Sequence, residues 1–151
     1  MKKNRGFSLL ELLIVVAIIL IIATIAIPSL LRSRQAANES SAVANLRTIN
    51  TAQVTYLSSA GGNYGGLPDL ITAGLLDTRF TAGGQVSGYQ YAITVSGSDY
   101  TVNANPTSAN SARFGYFSGP DAVIRYSTVA TGCGGPGGAC YPAGQSGAPV
   151  Q

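Results

Sequence analysis

Residues 5–16 read RGFSLLELLIVV, an apolar run broken by one carboxylate, Glu11. Outward from it, residues 12–27 read LLIVVAIILIIATIAI without a charge. As a helix, the 21 residues 7–27 span roughly 31 Å at ~1.5 Å per residue, about the thickness of a bilayer's hydrocarbon core. Lys2, Lys3 and Arg5 precede the run, so the positive-inside rule keeps residues 1–6 cytoplasmic and sends the C-terminal part outward. An acid inside such a helix costs about 2.5–3.5 kcal/mol, and each surrounding Leu, Ile or Val returns about 0.3–0.6 kcal/mol. The segment therefore inserts despite Glu11, and an anchor has no use for it. An ionisable group in that position calls for a partner. No cation lies within the run, which leaves a basic residue of another protein or a new N-terminal amine made by cutting the chain just upstream.

Arg5-Gly6-Phe7-Ser8-Leu9-Leu10-Glu11 and the apolar run after it resemble the class III signal of type IV prepilins and of the related type II secretion pseudopilins. The resemblance implies that a membrane-embedded peptidase cuts after Gly6 and methylates the new amine of Phe7. It implies that Glu11 meets the Phe7 amine of a neighbouring subunit during filament assembly, and that the long helix kinks near Pro28. The implied partners are further copies in a helical filament, the prepilin peptidase/N-methyltransferase, an assembly platform with its ATPase, and the inner membrane. The subunit would wait there as a single-pass protein with its C-terminus periplasmic, then move into an extracellular filament. The implied pairing is sound electrostatics, because an ammonium and a carboxylate withdrawn from water are each costly alone and attract strongly together. An ordinary secretory signal cut after Ala26, with Thr24 and Ala26 as its small residues, is the rival. It leaves Glu11 unexplained, and its apolar core exceeds the usual length of about 7–15 residues.

Composition argues against catalysis. The chain has 151 residues and no His, which removes the commonest general base and metal ligand. No catalytic residue, cofactor or metal is expected, and the chain is read as a structural protein and a peptidase substrate. Beyond residue 6 the side chains balance at six Arg against six acids, without the basic cluster that binds a row of phosphates, so no nucleic acid is expected. Arg79, Arg113 and Arg125 are the only material for a DNA- or ligand-binding minor pilin. Asp99 and Asp121 follow Ser-Gly pairs and read as turn residues bonding their own backbone rather than as calcium ligands. Cys133 and Cys140 flank Gly-Gly-Pro-Gly-Gly-Ala, a flexible spacer that in an exported protein reads as a disulfide loop. The G-x-G-x-x-G at residues 132–137 contains Pro136 and lacks the strand and helix that a dinucleotide site requires.

Residues 29–59 hold no Gly or Pro. Ala42, Leu46, Ile49, Ala52 and Tyr56 form one stripe at helical period, with Arg32, Arg34, Gln35, Asn38, Glu39 and Arg47 in other directions. Eighteen of nineteen Gly lie beyond Ala60, so loops and short strands follow. A short helix is expected over 67–76, a hairpin over 89–104 turning at Ser96-Gly97-Ser98-Asp99, and a second strand pair over 113–127. Four short antiparallel strands against the long helix give an α+β, pilin-like fold. The expected division is a leader at 1–6, a transmembrane and filament-core helix at 7–28, an amphipathic half at 29–59 and a Gly-rich head at 60–151. The function so implied is a structural pilin subunit of a type IV pilus. The alternatives are a type II secretion pseudopilin and a minor pilin that binds DNA or a surface ligand.

Overall fold

The computed structural model describes residues 7–128 and 148–150. The chain forms two compact units, one reaching to Ser33 and the other starting at Arg34. The leader residues 1–6, the disulfide expected between Cys133 and Cys140, and the glycine run at 132–137 lie outside the described residues.

Helix α1 (Leu9–Ser59) runs 51 residues, with Pro28 inside it. It stops where glycine first permits a left-handed backbone: Gly61 and Gly62 have φ of 66° and 89°, and the Gly62 N–H donates to the Leu57 carbonyl at 3.1 Å. That six-to-one bond closes a Schellman cap.

In the second unit, six antiparallel strands form a meander in chain order: β1 (Gln85–Val86), β2 (Tyr89–Ser96), β3 (Asp99–Pro106), β4 (Phe114–Ser118), β5 (Arg125–Thr128) and β6 (Ala148–Pro149). The expected strands are present, and the sheet gains β1 and β6, each too short to show alternation. Turn chemistry fixes the register. Ser87 and Gly88 both have positive φ, the geometry of a type I′ hairpin. Gly97 at φ 60° opens the two-residue turn between β2 and β3. One face of the sheet carries Tyr89, Tyr91, Tyr100, Val102, Ala104 and Tyr116, and these pack with Ala42, Leu46 and Ile49 of α1 in a single core. Helix α2 (Leu67–Thr72) adds Leu67 and Leu70. It ends four residues before the expected limit because Gly74 takes φ 70° and the Leu75 and Leu76 N–H groups both fold back onto the Leu70 carbonyl.

One expectation is corrected. Gln35 and Glu39 do not lie off the packed face of α1: both are buried, together with Asn45, Asn50 and Gln53. The buried face is therefore mixed, and its polar members reach specific partners. Asn45 Nδ2 donates to Tyr91 Oη at 3.0 Å. Asn50 donates to Ser118 Oγ at 2.8 Å and accepts from Tyr100 Oη at 3.0 Å.

Ala122 holds a left-handed conformation, φ 56°, in the turn after β4. For a residue with a Cβ this costs roughly 1–2 kcal/mol, and glycine returns part of the relief through its freer unfolded chain. Ala122→Gly is expected to stabilise the protein by on the order of 0.5 kcal/mol, read as a higher urea midpoint.

Candidate functional site

The N-terminal part of α1 is apolar on every side. Leu9 is 79% exposed, Ile19 58% and Ile25 73%, and no part of its most apolar stretch is buried. A continuous apolar surface of that extent marks contact with a membrane or other chains. It is also the one described helix long and apolar enough to cross a membrane. Thr24, one of few polar groups here, donates its hydroxyl to the Leu20 carbonyl at 2.8 Å, so it presents no unmet donor to an apolar surrounding. Pro28 lacks the N–H that would bond the Thr24 carbonyl, which loses its helical donor.

Glu11 is the only ionisable side chain between Phe7 and Leu31. Its Oε2 accepts the Ser8 backbone N–H at 3.0 Å, while Ser8 Oγ accepts the Leu10 N–H at 3.3 Å. Ser8 is the N-cap and Glu11 the third helical residue: Glu11 closes back on the Ser8 N–H as in a capping box, while the Ser8 hydroxyl takes the end donor of Leu10. The carboxylate also lies at the positive end of the helix dipole. The sequence points Glu11 to a basic residue of another protein or a new N-terminal amine, and this backbone donor was missed, although the Ser-x-x-Glu spacing that signals it is plain in residues 8–11. One accepted bond leaves a carboxylate further lone pairs for a second, charged donor.

The other candidate residues have local partners. Asp121 accepts the Val123 N–H at 3.1 Å and pairs with Arg125 at 2.7 Å; that hydrogen bond to Arg125 is the main cause holding its carboxyl below the usual value. Asp99 accepts the Tyr100 N–H at 2.7 Å. Arg113 binds Glu39, and Arg79 lies over the Phe80 ring at 5.2 Å. The three head arginines are thus engaged with different neighbours.

The prokaryotic N-terminal methylation motif matches residues 1–27. Over 56 residues the chain is 48% identical to the type IV major pilin protein PilA of Myxococcus xanthus, covering 37% of this chain and 26% of that protein. Over 78 residues it is 38% identical to the type IV wide pilus major component PilA4 of Thermus thermophilus, covering 52% of this chain and 60% of that one. This chain's N-terminal segment is thus similar to those of type IV major pilins. The chain spans less than two thirds of either relative's length, and no solved structure matches. Gly6, Phe7 and Glu11 all lie within the segment that the methylation motif matches. The α+β head is a feature of the structure itself.

Proposed function

We propose that the chain is a structural pilin subunit. After removal of residues 1–6 and methylation of Phe7, it polymerises into a type IV pilus with its apolar helix in the filament core. The observation that carries this reading is Glu11, a lone carboxylate at the start of the exposed, apolar N-terminal stretch of α1. Before assembly the Ser8 N–H holds the carboxylate, so it is not left bare in lipid. In the filament the Phe7 amine of a neighbouring subunit supplies the opposite charge. A neutral amide satisfies the carboxylate's hydrogen-bonding need but not its charge, so the stored subunit is tolerated and the stacked one favoured. Pro28 lets the helix kink where neighbouring chains pack against it.

Two variants separate the capping role from the pairing role. Glu11→Gln retains the capping box, since Gln serves at the third helical position, but cannot pair with an ammonium. Glu11→Ala loses both. Both are expected to be trimmed to a methylated Phe7 N-terminus, read by mass spectrometry, and to yield filaments in sheared surface material at least about tenfold below the parent, as one desolvated charge pair worth over ~1.4 kcal/mol demands. Parental filament yield from Glu11→Gln would refute the pairing, and a mature N-terminus at Ile27 would refute the prepilin reading.

A further inference from the structure

The core contributed by α1 starts at Ala42. The two turns before it, residues 35–41, reach the head through polar groups. Gln35 Nε2 donates to the Ala109 carbonyl at 3.0 Å and Asn38 Nδ2 to the Ser111 carbonyl at 2.8 Å. Glu39 receives three bonds from one residue: the Arg113 N–H at 2.9 Å, its Nε at 3.1 Å and its Nη2 at 2.8 Å. Ser41 Oγ donates to Ser87 Oγ at 2.8 Å. Positions 35, 38 and 39 share one face of the helix, so a single row of side chains grips the loop at 107–113.

The surface that receives this row is itself fixed. Thr107 bonds the Gly88 carbonyl through both its N–H, at 2.9 Å, and its hydroxyl, at 3.2 Å. Ser111 is tied to Thr107 and Ser108, and Ala112 is plugged into the core at 2% exposure. The approach at Gly88 is close: a Cβ there would lie 2.9 Å from Asn38 Nδ2. Hydrogen bonds to such a platform exchange for bonds to water at small net cost, whereas withdrawing Leu46 or Ile49 from the core exposes apolar area.

We propose that residues 35–41 form a releasable strap, two helical turns that detach from the loop at 107–113 as a unit while α1 from Ala42 onward stays packed. The Glu39–Arg113 pair is its latch. Arg113 is 56% exposed on its side chain and Glu39 only 9%, so water competes for the guanidinium and the latch opens from the arginine side. The Glu39 hydrogen bond, followed by its charge, holds the Arg113 guanidinium above its ordinary value, and Arg113 also covers the Phe114 ring at 5.1 Å. Released turns keep only their helical hydrogen bonds, which are marginal in water without tertiary packing. They therefore open locally at less cost than the core.

Amide hydrogen exchange of the full chain in detergent micelles, read by mass spectrometry, tests this. In the parent, amides 36–41 are expected to exchange faster than amides 46–53. Glu39→Gln and Arg113→Ala are each expected to speed exchange at 36–41 by about tenfold and to leave 46–53 within about twofold. Leu46→Ala, which loosens the core directly, is expected to speed 46–53 as well. Equal acceleration of both segments by the latch variants would mean that strap and core open together, and no acceleration at 36–41 would mean that the latch holds nothing. Either overturns the proposal. Should Arg113→Ala not fold, Arg113→Lys keeps a charge but loses the forked geometry and is expected to show the same local effect.

Discussion

Gln53→Ala is expected to destabilise the head by roughly 3–5 kcal/mol, as much as deleting a large apolar side chain from a core. Gln53 has 0% exposure and clamps Gly65 through both of that residue's backbone polar groups. Its Nε2 donates to the Gly65 carbonyl at 2.6 Å, and its Oε1 accepts the Gly65 N–H at 3.1 Å. Gly65 is buried, and a Cβ there would lie 2.9 Å from Tyr56 Cε1, so the loop has no room to turn its peptide elsewhere. Truncation strands one donor and one acceptor, each at about 1–3 kcal/mol, and adds a cavity. Gln53→Leu fills the space but leaves both peptide groups unmet, and is expected to rescue little. Val54→Ala, next along the helix at 58% exposure, is expected to change stability by less than about 0.5 kcal/mol. Urea midpoints of the full chain in micelles, followed by circular dichroism, measure all three. A Gln53→Ala midpoint near that of Val54→Ala would show that the loop finds other partners.

Gln53 also marks where sequence reading stopped. The apolar stripe of Ala42, Leu46, Ile49 and Ala52 was legible because its helical period needs no knowledge of the partner surface, and all four are core residues. The β2–β3 hairpin was legible because alternation and a Gly-containing turn agree. Gln35, Glu39, Asn45, Asn50 and Gln53 were not, since a polar side chain is buried only if a partner waits across the fold. Those partners are 12 to 74 residues away in the chain. Strands β1 and β6 were missed because two residues carry no period. At the N-terminus the reverse held. The Ser8–Glu11 box is local and fully written in four residues, yet the apolar run drew attention to distant partners first.

Raising the pH from 10 to 12 is expected to unfold the head, because three tyrosines must lose protons that the folded state retains. Tyr91, Tyr100 and Tyr116 are each raised from 10.0 to about 12, burial being the first cause in every case. For Tyr91 the Asn45 hydrogen bond and the charge of Arg79 oppose the rise. For Tyr100 the nearby Tyr64, Asp121 and Asp99 add to it, and for Tyr116 Glu39 adds while Arg113 opposes. The unfolded chain ionises these phenols near the ordinary value and the folded chain near 12, so between the two the unfolded state binds fewer protons and stability falls as pH rises. Their contribution is complete below pH ~10 and gone once pH passes ~12. A displacement from 10.0 to about 12 is worth on the order of 3 kcal/mol for a phenol. That loss is a large part of the roughly 5–15 kcal/mol that holds a domain of this size, and Tyr100 and Tyr116 add to it by less, because water partly screens them. Phenolate absorbance and circular dichroism, recorded together, are expected to show a late ionisation step coincident with loss of the head's structure. Tyr100→Phe removes one titrating group, and although Asn50 then loses a donor and the protein is weaker at pH 7, its stability should fall less between pH 10 and 12 than the parent's. Ionisation of all three near pH 10 in a head that stays folded would mean that water reaches these hydroxyls and that the core around Asn45 and Asn50 is looser than the structure has it.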